Sequence, residues 1–131
     1  MRASRGAQRR AARVEFLMPR GSGAARWARR LTRRFLAAHD GDRATDAELV
    51  VSELVANATK DGDGSCRMSL RLDPGGLTVA VHDELPGLPR RAPDSRTAES
   101  GRGIALVHAL ASRWSVEPDP RGGKTVTALL A

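Results

Sequence analysis

Tyrosine is absent from the chain, and only two Phe and two Trp occur. A surface that stacks bases on aromatic rings draws on more of them, so the composition argues against a base-stacking platform. Cys66 is the only cysteine, which rules out an intrachain disulfide and a cysteine-rich zinc site. It falls in an alternating strand pattern and reads as a core filler. His39, His82 and His108 are scattered, without the His–carboxylate spacing on one helix that would argue for zinc. Ser52 and Ser100 lie in no nucleophile elbow, and no triad assembles from the sequence. No apolar run approaches the roughly 20 residues that span a bilayer, and no signal-peptide core follows the start. A cytoplasmic protein with no membrane partner is expected. No internal repeat is visible.

Basic charge is abundant, but it is unevenly placed. The 131 residues carry a net charge of +7, which invites a nucleic-acid reading. Residues 1–34 hold 11 arginines against Glu15 alone, a balance of +10, while the remainder carries a balance of −3. The excess therefore belongs to the start of the chain. Residues 1–13, MRASRGAQRRAAR, read as a flexible basic arm able to touch acidic partners or nucleic acid. Residues 14–131 read as one domain, long enough for a core that needs no staple.

Val14 to Pro19 reads as a short strand. Ser22 is placed to cap a helix, SGAARWARRLTRRFLAAHD, with Trp27, Leu31, Phe35 and Leu36 on its apolar stripe. Arg26, Arg29, Arg30, Arg33 and Arg34 cover its other surface, either as a solvated face or as a partner-binding patch. A second helix begins at Thr45 or Asp46 and ends near Lys60. CRMSLRLD turns Cys66, Met68, Leu70 and Leu72 inward, and LTVAVHD does the same with Leu77, Val79 and Val81. Between them, Asp73-Pro74-Gly75-Gly76 is hairpin chemistry. Residues 84–100 form a polar, proline-containing loop of a length usually reserved for lids or disorder. A third helix follows Gly101 and Gly103, and two short strands joined at Pro120 to Gly123 close the chain. The order β-α-α-β-β-loop-α-β-β predicts an α/β two-layer sandwich, with a mostly antiparallel mixed sheet and helices on one face.

Two phosphate motifs fail on inspection. Gly122-Gly123-Lys124-Thr125 ends like a P-loop, but Pro118 stands where its first glycine belongs. Six residues then remain, too few for the helix that would hold the phosphates. GRGIAL (Gly101 to Leu106) begins like a dinucleotide fingerprint, yet Leu106 replaces the third glycine and no βαβ unit surrounds it. What survives is a glycine-rich helix start whose N–H groups and dipole suit an anion.

The second helix holds an oddity in VVSELVANATKDG (Val51 to Gly62). Glu53 and Asn57 are an (i, i+4) pair and point the same way, although Asn is a poor helix former. ELVANA, VHDELPG, GRGIALV and GGKTV then occur in this order along the chain. Together they resemble the GHKL ATPase superfamily, and within it the small stand-alone anti-sigma-factor serine kinases of bacteria, over roughly residues 14–131. The resemblance implies ATP and Mg2+ as cofactors and a histidine-kinase-like ATPase fold. It makes Asn57 the Mg2+ ligand and Glu53 the general base or orienter of an attacking hydroxyl. Asp83 would accept from the adenine amino group, Gly87 would let the backbone pass close to the base, and Thr125 would complete the adenine pocket. Gly101, Arg102 and Gly103 would meet the phosphates, and residues 84–100 would be the ATP lid, with Arg90, Arg91 and Arg96 as further contacts. A sigma factor and an anti-sigma-factor antagonist are the implied partners, and a homodimer the implied state.

Two departures accompany the resemblance. The middle glycine of the Asp-x-Gly-x-Gly box is missing at Leu85, and Asp61 stands where kinases of the group commonly have His. Two alternatives are a non-catalytic interaction module of the same fold, with or without nucleotide, and a nucleic-acid-associated protein acting through its arm.

Overall fold

The computed structural model describes residues 11–19, 21, 23–59, 65–84 and 105–131. Among the described residues there are five strands: β1 (Ala12–Met18), β2 (Cys66–Asp73), β3 (Gly76–Asp83), β4 (Arg113–Pro118) and β5 (Lys124–Leu130). They lie in the order β1-β2-β3-β5-β4, and every neighbouring pair is antiparallel. Two full helices, α1 (Ala24–His39) and α2 (Ala44–Thr59), are joined by a 3-10 turn, Gly41–Arg43. Residues 105–110 are also helical and contribute buried Val107 to the same core.

Side chains alternate along a strand, and directly opposed residues share a face. The register therefore resolves the sheet into rows. One face carries Val14, Leu70, Val79 and Ala128, then Phe16, Met68, Val81 and Val126. The other carries Glu15, Ser69, Ala80 and Thr127, then Leu17, Arg67, His82 and Thr125. Only the first face is apolar, so only it is covered. Helix α1 packs over β1 and β2, and α2 over β2, β3 and β5. Burial of Met68, Leu70, Leu77, Val79 and Val81 beneath Val50, Val51, Leu54 and Val55 makes the core. At roughly 25 cal/mol per Å² of apolar surface, this layer contact is the main source of stability.

The expected two-layer α/β sandwich and the inward sets on β2 and β3 agree with the structure. On the first helix Leu36, Leu31 and Phe35 pack toward the core as expected, and Trp27 does not. The helix's buried positions are Ala24, Ala28, Thr32 and Leu36, while Trp27 is 45% exposed and Leu31 and Phe35 are half-buried. Small alanines let α1 lie close to its neighbours, which the bulk of Trp27 would prevent. The helix starts after Gly23, and the expected cap, Ser22, lies outside the described residues. Helix α2 begins at Ala44, slightly before the sequence expectation, and Ala12 and Arg13 belong to β1 instead of the basic arm.

Two arginines of the α1 surface bind the helix layer together. Arg29 donates to Ser52 Oγ at 2.9 Å, and Arg33 makes two 2.9 Å bonds to the Glu48 carboxylate. That doubled bond holds the Arg33 guanidinium above its usual pKa. Arg26, Arg30 and Arg34 remain exposed on the helix's outer side. Arg43 joins the 3-10 turn to the sheet by donating to the Leu130 carbonyl at 2.8 Å.

At the β2–β3 hairpin, Gly75 N–H donates to Asp73 Oδ1 at 2.9 Å, and Gly76 follows at φ +132°. A side chain on Gly76 would meet the Leu130 carbonyl oxygen of the adjacent strand. Gly76→Ala therefore combines a disfavoured φ with a backbone clash. Urea denaturation of this variant is expected to show a loss of more than about 1 kcal/mol.

Candidate functional site

Glu53 and Asn57 lie on α2, one turn apart, and both are half-buried. Their neighbours Leu54, Val55 and Ala58 are buried in the core. The helix is therefore anchored on one side while it holds these two polar groups along an adjoining stripe. Leu49, a further turn toward the helix start, is 41% exposed on the same side.

The end of the sheet supplies the second part of the site. Met18, Cys66, Asp83 and Lys124 face one another in a single row across β1, β2, β3 and β5. All four are buried, Asp83 to 2% and Lys124 to 7% relative exposure. Every other row on this face is apolar at its centre; this one holds an ion pair. Lys124 Nζ donates to Asp83 Oδ1 at 3.0 Å. Such burial carries a desolvation penalty that the mutual attraction only partly offsets.

The β4–β5 turn delivers Lys124 to that position. Gly122 N–H donates to the Asp119 carbonyl at 2.8 Å, and Asp119 N–H to the Gly123 carbonyl at 2.9 Å. Gly123 has φ +84°, and a side chain there would collide with the Asp83 carbonyl oxygen. Only glycine lets the turn pass so near the end of β3. Cys66, directly opposite Asp83, has its thiol pushed up to about 11 by burial first and by the Asp83 charge second.

Thr125 does not share this face. It is the cross-strand partner of His82, and its hydroxyl is 2.9 Å from His82 Nδ1. His82 Nε2 lies 2.9 Å from Glu84 Oε2. The sequence expectation joined Thr125 to Asp83 in one pocket; strand alternation separates them onto opposite sides of the sheet. The residue that does accompany Asp83 is Lys124, which sequence reasoning missed. The signal was present in the parity that turns Val126, Ala128 and Leu130 inward, because it turns Lys124 inward too. Gly87, Gly101, Arg102 and Gly103 lie outside the described residues, as do Lys60, Asp61 and residues 85–100 of the expected lid.

Among the described residues, no group of three His, Cys, Asp or Glu side chains is arranged to hold a metal ion. A Mg2+ carried by phosphates and water needs only one or two protein oxygens. The half-buried Asn57 amide fits that requirement. Among the same residues, no helix is long and apolar enough to cross a membrane.

A one-sided antiparallel sheet under helices, with a polar helix stripe and a carboxylate at the sheet end, defines a two-layer α/β domain of the ATPase type. Residues 20–129 match the family model described as histidine kinase-like ATPase domain, and the chain belongs to that family. Membership implies an ATP-binding domain. The fold is also similar to a chain in the crystal structure of the SiaB-SiaC complex from Pseudomonas aeruginosa, with a TM-score of 0.62 and 16% identity. That likeness covers 97% of this chain and 95% of the other. No curated protein sequence matches the chain.

Removing one member of the buried pair leaves the other uncompensated. Asp83→Asn or Lys124→Met alone is expected to cost about 3–5 kcal/mol, and the joint change much less than the sum. Urea denaturation of the three variants measures this. Cys66 gives a pH dependence whose sign follows from its raised pKa. Its contribution is full below the ordinary thiol value of 9.0 and is lost as pH rises toward about 11, because the unfolded chain ionises first. The urea midpoint should fall over that window, and Cys66→Ala should flatten the fall.

Proposed function

We propose that the protein is an ATP-binding regulatory protein kinase. It phosphorylates a serine or threonine of an anti-sigma-factor antagonist and sequesters a sigma factor, working as a homodimer in the cytoplasm. The observation that carries this reading is the Glu53–Asn57 pair, held half-buried on one face of α2 within a histidine kinase-like ATPase domain. A neutral amide oxygen and a carboxylate one turn apart suit two different tasks in phosphoryl transfer.

Asn57 supplies an oxygen ligand for Mg2+. Glu53 orients the attacking hydroxyl and accepts its proton. Asp83, held beside Lys124, accepts from the adenine amino group. ATP supplies the phosphoryl group; the chain supplies position and charge. Gly87, Gly101, Arg102 and Gly103 are proposed to shape the phosphate and base contacts, and Thr125 to support the adenine strand from behind through His82. The SiaB-SiaC structure captures a similar fold in a two-protein complex, which supports a protein partner for this chain.

A second reading has one observation in its favour. The Asp83 carboxylate is already engaged by Lys124, as suits an interaction module that has given up nucleotide.

Calorimetric titration with ATP, with and without Mg2+, decides between them. Magnesium-dependent binding that Asn57→Ala loses is the expected result. Glu53→Ala should still bind ATP but transfer no phosphate to a hydroxyl acceptor. Absence of binding at millimolar ATP would transfer the assignment to the interaction module.

A further inference from the structure

The face of the sheet turned away from the helices is shaped as a trough. One row on it runs from Arg13 and Arg71 through Thr78 and Leu129 to Arg113. The two middle strands, β3 and β5, also place Ala80, Thr127, His82 and Thr125 on this face, and no Lys, Arg, Asp or Glu. Longer charged side chains stand on the flanking strands, Arg67 and Arg71 on β2 and Arg113 and Glu117 on β4. Two hollows result. The larger, about 540 Å³, is bordered by Arg71, Thr78, Thr127, Arg113 and Ser115 among others. The smaller, about 280 Å³, is bordered by Arg67, Ser69, Ala80 and His82 among others.

Charge is graded along the trough. The row at the larger hollow holds three arginines and no carboxylate; Asp73, at the adjoining hairpin, stands 3.7 Å from Arg71. Farther along, Glu15 lies 3.5 Å from Arg67, and Glu117 is opposite Thr125. The chain beyond residue 34 carries a balance of −3, so Arg71 and Arg113 concentrate positive charge against that trend.

Width, backbone chemistry and charge select the occupant. Strands β2 and β4 are three strand spacings apart, about 14 Å. An α-helix with its side chains is about 10–12 Å across. An extended segment laid on this face would leave its own N–H and C=O groups unpaired, because those of β3 and β5 are bonded to their neighbours. A helix satisfies its own, and helices are what ordinarily bury a sheet face. The short side chains of Thr78, Ala80 and Thr127 let one approach closely. Trp114 borders the larger hollow, but the register turns its side chain to the other face, where its indole N–H donates to His108. Among the described residues no Phe or Trp side chain lies in the trough, which disfavours stacked bases. A second copy of the chain offers the wrong sign, since the outer side of α1 shows Arg26, Arg30 and Arg34.

We propose that this trough is the docking surface for an acidic α-helix of a protein partner, its carboxylates turned toward Arg71 and Arg113 on either bank. The surface lies on the opposite side of the sheet from Asp83, so the inference does not rest on the nucleotide reading.

The test is an NMR titration of isotope-labelled full-length protein, up to millimolar concentration, with a blocked alanine peptide of about four helical turns carrying glutamates along both flanks. The amide resonances of Thr78, Ser115 and Thr127 should move, and the binding should weaken as salt rises. Arg71→Ala and Arg113→Ala should each weaken it roughly twofold to fivefold, the range for an exposed charge pair. Arg34→Ala, on α1, should leave it unchanged. Both trough arginines are exposed, so the variants should keep the dispersed spectrum of the folded protein. The same peptide with lysine for glutamate should leave the three resonances in place. Unmoved resonances at millimolar glutamate peptide overturn the proposal, as do shifts confined to α1 and the residues before it, or an equal response to the lysine peptide. A single-stranded oligonucleotide that moves the same resonances at lower concentration assigns the trough to nucleic acid and overturns it too. Failure to bind ATP overturns the nucleotide reading alone and leaves this result standing.

Discussion

The Asp83–Lys124 contact is the constraint around which the sheet end is arranged. A carboxylate and an ammonium are tolerated in a buried row because each is within hydrogen-bond distance of the other. That distance demands that β3 and β5 be neighbours in one register, that Gly123 carry no side chain, and that Met18 and Cys66 exclude water from the flank. A slip of one residue in β5 would send Lys124 to solvent and bring Thr125 inward. Asp83 would then be left buried beside a hydroxyl. The pairing is thus both a cost and a fixed point for strand alignment.

The helix layer meets this sheet end through a different chemistry. Helix α2 is held from below by the sheet core and from the side by α1, whose Arg29 and Arg33 reach Ser52 and Glu48. Ser52 directly precedes Glu53. The polar stripe of α2 is therefore braced at its shoulder by a neighbouring helix, which limits the ways the stripe can turn relative to the sheet. Positioning of this kind matters because small displacements of reacting groups carry large rate penalties.

Local features were legible in the sequence. Alternation on β2 and β3, the Asp-Pro-Gly-Gly hairpin and the (i, i+4) spacing of Glu53 and Asn57 each depend on residues a few positions apart. On α1 the expected stripe holds for Leu36, Leu31 and Phe35 and fails at Trp27, because close packing at that end of the helix is made by Ala24 and Ala28. Lys124 was overlooked because a lysine at a strand start ordinarily means solvent. Its burial follows from pairing with Asp83, 41 positions away, and no local pattern announces that partner. Thr125 was misplaced for the same reason: the face it occupies is fixed by the register of β5 against β3.

The covering of only one sheet face gives the protein an alternating record of tolerance. On β3, odd-numbered positions from Leu77 to Asp83 are buried on the helix-covered face, while Thr78, Ala80 and His82 face away from it. Drift in sequence should therefore run along every second residue of each strand, with the intervening ones held. Relatives can diverge on their open face, and so in whatever meets it, without disturbing the face that carries the site. One layer of the molecule can keep its chemistry while the other is free to change its associations.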